Sequence, residues 1–136
     1  MQTYPGTSIV VVSGLQTLGS AGGRAISLPA GPASALISVR VSFVTTATAG
    51  NRVLALQAKD AAANILFEIP ISANVAASLT TIITWAAGAP NFSSGTRQVA
   101  NIPVGLVLPA GSSIQIFDTA NIDVADTIAT NIATAV

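Results

Sequence analysis

The chain contains no cysteine and no histidine. Without cysteine there is no disulfide and no thiolate chemistry. Without histidine the commonest metal ligand is gone, along with the only side chain that ordinarily titrates near neutral pH. Charge is scarce as well. Five basic and five acidic residues leave a net charge of zero, and charged residues make up 7% of the 136, against about 25% in an ordinary soluble domain. A folded monomer of this length exposes on the order of 6,500 Å², so its charges are thinly spread. A neutral, bland surface favours association, and covering by neighbouring protein is the simplest way to keep such a chain in solution. One Trp, one Tyr and four Phe are the whole aromatic complement.

These scarcities remove most catalytic toolkits. Ser and Thr are plentiful, but a nucleophilic hydroxyl needs a base beside it. Lys59 is the one lysine, placed next to Asp60 at what reads as a solvated strand end. Five carboxylates are present, Asp60, Glu68, Asp118, Asp123 and Asp126, and no spacing pairs them for glycosidic cleavage. Asp118, Asp123 and Asp126 lie close together, yet they lack the close-set D-x-D-x-D-G form of a calcium loop; Asx turns and a cap account for them. Gly19–Gly23 is glycine-rich without the lysine of a phosphate loop. Arg24, Arg40, Arg52 and Arg97 are dispersed, which argues against a polyanion partner such as nucleic acid. The expectation is no catalytic residue, no cofactor and no metal.

Residues 69–96 carry no charge. Pro70, Asn74, Ser78, Gly88 and Pro90 interrupt them, so no clean span of about 20 apolar residues exists and no membrane segment is expected. A secretory leader opens on a positive region, whereas the first basic residue is Arg24; synthesis and folding in a cytoplasm are expected.

Strand signals dominate what is present. Ile37, Val39, Val41 and Phe43 alternate with Ser38, Arg40 and Ser42, the period-two pattern of a strand with one apolar face. Further strands are predicted at Ser8–Val12, Arg24–Leu28, Arg52–Lys59, Ile65–Ile71, Leu79–Trp85, Gly105–Leu108 and Ser113–Asp118. Asn74–Ala87 has a helical spacing at its start, but its Thr- and Ile-rich second half favours a strand. The tail fits both a strand face (Ile128, Thr130, Ile132, Thr134, Val136) and an i, i+4 helix behind Asp123; strand is preferred. Leu-Pro-Ala-Gly occurs twice, at 28–31 and 108–111, and reads as two similar turns. The fold class is all-β: an antiparallel β-sandwich, jelly-roll-like, over 24–136. Residues 1–23 are uncharged and glycine-rich, with one apolar run, Ile9, Val10, Val11 and Val12. They read as an edge strand or as an extended N-terminal arm that adds a strand to a neighbour, with those four residues as candidate subunit contacts. Trp85 and the Phe residues (Phe43, Phe67, Phe92, Phe117) read as core. An exposed Trp85, or Tyr4, would instead suit a sugar.

The stretch Leu108-Pro109-Ala110-Gly111-Ser112-Ser113-Ile114-Gln115-Ile116-Phe117-Asp118, followed by Ile122-Asp123 and Asp126, resembles the C-terminal part of small accessory virion proteins of tailed bacteriophages, of the capsid cement or decoration type. The likeness covers about the last third of the chain. It implies a β-sandwich with an extended arm, no catalytic residues, and a last strand over Thr127–Val136. It also implies a structural role on the capsid surface after synthesis in the host cytoplasm. The partners it implies are the major capsid protein and copies of the chain itself, as a dimer or trimer. The alternative is a receptor- or carbohydrate-binding β-sandwich module of a phage tail or fibre.

Overall fold

The computed structural model describes residues 9–17, 23–27, 33–120 and 123–135, with side chains for 33, 35–120 and 123–134. The described residues form strands and no helix: β1 (Ile9–Thr17), β2 (Gly23–Ser27), β3 (Ser34–Val44), β4 (Leu54–Lys59), β5 (Ile65–Pro70), β6 (Thr80–Ala87), β7 (Phe92–Ser94), β8 (Arg97–Ile102), β9 (Val107–Leu108), β10 (Ser113–Asp118) and β11 (Thr127–Ala135). None of them is a helix long and apolar enough to cross a membrane.

The strands make two sheets. The first runs β1-β11-β3-β6-β8-β7, with β9 beside the start of β3, and the second runs β2-β10-β4-β5. Pairing is nested. β4 joins β5, β3 joins β6, β2 joins β10 and β1 joins β11, all antiparallel. A long hairpin rolled over on itself produces this order, and it is the jelly-roll topology of a double-sheet all-β domain. The all-β antiparallel sandwich read from the sequence is therefore the architecture found. The N-terminal residues Ile9–Thr17 pair along their whole length with Thr127–Ala135 of the same chain. The side chains of Ile9, Val10, Val11 and Val12 lie outside the described residues.

Period-two alternation builds the core. Val39, Val41 and Phe43 of β3 point inward and are fully buried, as are Ile83 and Trp85 of β6, Ile114 and Ile116 of β10, and Ile128 and Ile132 of β11. Leu54, Leu56 and Ala58 of β4 close the layer from the second sheet. Burying one Leu, Ile or Phe contributes about 1.5–3 kcal/mol relative to leaving it in water. Alternation breaks at one place in β3. Ser38 pairs with Ala133 while Leu36 pairs with Thr134, so Ile37 is an extra residue, a β-bulge. The bulge turns Leu36 inward and leaves Ile37 on the surface. The tail is a strand, with Ile128, Thr130, Ile132 and Thr134 all buried on one face; Val136 lies outside the described residues.

Four expectations need correction. Phe92–Ser94 and Arg97–Ile102 form strands that the sequence reading passed over, joined by a two-residue turn with Gly95 at φ 54°. β8 lies parallel to β6, because the chain passes to the outer edge as β7 before folding back between β7 and β6. Phe92, read as core, is 46% exposed on this edge, and Phe117, also read as core, lies half-buried on the opposite face of its strand from Ile114 and Ile116. The strand read as starting at Arg52 starts at Leu54. Arg52 instead makes a single bridge to Val75, which fixes the turn before β6 where a helical start was weighed.

The second Leu-Pro-Ala-Gly segment is a tight turn from β9 into β10. Ser112 donates to the Pro109 carbonyl through both its amide and its hydroxyl. Gly111 sits at φ 78°, where a Cβ would also come within 3.1 Å of the Ala61 methyl; both facts select glycine. The first such segment connects β2 to β3, again one sheet to the other, and residues 28–32 of it lie outside the described residues. Since Ser27 pairs with Ser113 and Ser34 with Leu108, the two connections leave neighbouring strands at the same end of the sandwich.

Trp85 is 0% exposed and donates its indole N–H to the Ile69 carbonyl at 3.0 Å, tying the two sheets together. As the only Trp, it reports on the core. Its emission is expected to be blue-shifted and poorly quenched by acrylamide. Trp85→Ala is expected to cost about 3–5 kcal/mol, read from denaturant unfolding.

Candidate functional site

The most organised side-chain chemistry lies at one end of the sandwich, where the β3–β4, β5–β6 and β10–β11 connections meet. Backbone bonds first bring the loops together. Thr45 N–H donates to the Leu79 carbonyl, Ser78 N–H to the Thr46 carbonyl, and Arg52 and Val75 exchange N–H···O bonds at 2.8 Å each way. Into this junction Arg52 inserts a guanidinium that is 1% exposed. Its Nε donates to Asp126 Oδ2 at 2.8 Å and its Nη2 to Asp126 Oδ1 at 3.2 Å. Nη1 donates to the carbonyls of Thr48 and Gly50, and Nη2 also to Thr46 Oγ1. Five donors find five acceptors, which is the full capacity of the group.

Two carboxylates surround this one cation. Asp126 is fully buried and also accepts from Thr46 N–H at 2.8 Å. Asp123 stands at the rim, its Oδ2 accepting from the Thr46 hydroxyl and lying 3.5 Å from Arg52 Nη2. The Thr46 hydroxyl, the Ala125 N–H, the Thr48 hydroxyl and the Arg52 charge together hold the Asp123 carboxyl at about 2, below its ordinary 3.8. The cluster locks three loops into one surface.

The structure separates the three aspartates that the sequence grouped. Asp123 and Asp126 meet at Arg52. Asp118 turns away, its Oδ1 accepting from Val53 N–H at 3.0 Å and Ala120 N–H at 2.9 Å. The Asx turns read from the sequence are present at Asp118 and Asp123, which accept from the amides two residues on. Among the described residues no three acidic side chains gather as a metal would require. Lys59 is half-buried at the end of β4. Trp85, enclosed in the core, cannot stack on a sugar, and Tyr4 lies outside the described residues. Arg52 was passed over because its partner Asp126 is 74 residues away in sequence; the only local cue is one Arg ahead of an apolar run.

The remaining candidates are surfaces. The outer face of the first sheet is built from alternate residues of β3, β6, β8 and β11: Ser38, Arg40 and Ser42, then Ile82, Thr84 and Ala86, then Arg97 and Val99, then Ala129 and Asn131. Register pairs place Arg40 beside Thr84 and Asn131, and Ile82 beside Arg97 and Ser42. It is broad, made mostly of small uncharged side chains around Arg40 and Arg97, and carries no acid among the described residues. On the side of the second sheet away from Leu54 and Leu56, register sets Phe117–Ala55–Pro70 beside Gln115–Gln57–Glu68, with Ala55 and Gln57 buried and Pro70 and Glu68 exposed. Gln57 donates to Glu68 at 3.1 Å. At the start of β5, Ile65 is 60% and Leu66 is 42% exposed.

No family model matches the chain, and no curated protein does. Among solved structures, the chain is similar to one in "Structure of infectious bursal disease virus Gx strain", at 12% identity and a TM-score of 0.24. The alignment takes in 96% of this chain and 39% of that one, so the chain spans about two fifths of its length. Nothing about function follows from a likeness at that level.

Replacing Arg52 tests the loop junction. Arg52→Met leaves Asp126 buried without its counter-charge and is expected to cost about 3–5 kcal/mol; Arg52→Lys, with three donors for five acceptors, recovers part of it. For Asp123 the folded value lies below the ordinary one, so its stabilising contribution is full above 3.8 and is lost as the pH falls through about 2. Asp123→Asn is therefore expected to flatten the acid limb of a thermal-stability profile.

Proposed function

We propose that the chain is a structural virion protein, a cement or decoration protein that bridges major capsid subunits on a phage head. The observation that carries this reading is the outer face of the first sheet, wide and built mostly of small uncharged side chains, with Arg40 and Arg97 as its described charges, on a domain with very few charges. Such a face can be buried at little desolvation cost, because few ions must leave water. Apolar area removed from water contributes about 25 cal/mol per Å² gross. Association costs of several kcal/mol then make a single contact modest, and several contacts on one particle make retention strong. The locked loop end and the jelly-roll topology support the same reading, since a part that fills a joint must keep its shape. The resemblance of Leu108–Asp118 and Asp123–Asp126 to small accessory phage proteins supplies the setting. The chain carries out no reaction on this reading, needs no cofactor, and has the capsid and its own copies as partners.

Cryo-EM of the native particle, with purified chain added back to particles stripped of it, tests this reading. The expected result is ordered density at junctions between capsid subunits and a raised temperature of genome release. A chain that stays a soluble monomer and never binds particles would sink the proposal. Saturable glycan binding with no density on the head would favour the tail or fibre module instead.

A further inference from the structure

The charges outside the loop junction are sorted by side. Arg40 and Arg97 lie exposed on the outer face of the first sheet, and among the described residues no ion pair holds either; Arg97 sits over the Phe92 ring, 6.0 Å from its centroid. Glu68, exposed, and Asp60, half-buried and accepting from Ala62 N–H, Asn64 N–H and the Asn64 amide, lie on the opposite side, on the β4–β5 hairpin of the second sheet. Lys59, half-buried beside Asp60, leaves that side net negative. Asp123 belongs to the junction, and the side chain of Arg24 lies outside the described residues.

We infer that copies of this chain associate head-to-tail, the hairpin side of one docking on the outer face of the first sheet of the next. This rests on the assembly reading above and specifies how the chain meets itself. The spacings correspond. Arg40 and Arg97 are two strands and two residues apart through Thr84 and Val99, roughly 12 Å between Cα atoms for ordinary sheet spacings. Glu68 pairs with Gln57, three residues before Asp60, which gives roughly 11 Å. Between the two acids stand Ile65 and Leu66, exposed at an edge strand; between the two arginines stand Ile82 and Thr84, half-buried and flat. An apolar pair framed by negative charge thus faces an uncharged floor of Ile82 and Thr84 framed by positive charge. Because the two surfaces differ, the contact is heterologous. It closes as a ring of three or more copies or continues as a row, and it excludes a two-fold dimer.

Charge reversal decides the matter. Arg40→Glu with Arg97→Glu alters one surface, and Asp60→Lys with Glu68→Lys alters the other; Arg40, Arg97 and Glu68 are exposed and Asp60 is half-buried in its turn, and circular dichroism checks the fold. By sedimentation at low salt, the unaltered chain is expected to self-associate and each double variant to be monomeric. An equimolar mixture of the two variants makes both contacts complementary, the unaltered hairpin on the unaltered face and the reversed hairpin on the reversed face, and is expected to co-assemble in alternation. A chain carrying all four changes is expected to assemble again. Association should weaken as salt approaches about 1 M, where the Debye length falls to about 3 Å. An unaltered chain that stays monomeric, double variants that assemble unimpaired, or a mixture that fails to co-assemble would overturn the inference. Particle binding is scored separately: double variants that self-associate like the unaltered chain and still bind particles would remove this contact and leave the cement reading standing. Intact self-association with no particle binding would do the reverse.

Discussion

A guanidinium inside a protein must have its charge cancelled and its donors met, and one end of this sandwich is arranged around that demand. Desolvating each ion costs several kcal/mol, so Arg52 is tolerable there only because Asp126 grips it twice and three further oxygens complete the set. Those acceptors come from two different connections, and the Arg52–Val75 bridge adds the third. If one loop moves, a buried charge loses partners. The arrangement makes the loop ends behave as one body. The strands below inherit that constraint, since β4 begins two residues after Arg52 and β11 begins directly after Asp126.

The two sheets divide the remaining work. Inside, apolar layers from β3, β6 and β11 meet β4 and β10 around Trp85. Outside, the first sheet shows small neutral residues and two arginines, whereas the second shows a hairpin with exposed aliphatic and acidic side chains. A monomer designed for solitude would mix its signs across both faces. Here Arg40 and Arg97 lie on one side and Glu68 and Asp60 on the other, which gives the domain a direction.

Much of the architecture was readable from residue order, and the reason is the sheet's own geometry. Each strand has one buried face, so Leu36–Val44, Ser113–Asp118 and Thr127–Val136 announce themselves by alternation. β7 and β8 did not. Their residues are mostly polar, and β8 hides its inward positions behind Gln98, whose amide clamps the Ala73 backbone from both sides. The Arg52 junction was illegible for another reason: an ion pair between distant residues leaves no period and no spacing. The single Trp read correctly as core because it sits in register with Ile83, and Phe92 misread because an aromatic on a short edge strand has nothing to lie under.

Nesting the hairpin has a consequence for how the chain is made. β4 and β5 are neighbours in sequence and can pair as soon as both have left the ribosome. β3, at the middle of the first sheet, lies between β6 and β11, and one of its edges stays open until residues 127–135 are synthesised. Distant pairings of this kind form slowly, and an open apolar strand edge is an invitation to a neighbouring nascent chain. With so few charges to hold copies apart, the hazard peaks during synthesis. Yield in the producing cell should therefore depend on how fast the last strand arrives rather than on how stable the finished domain is.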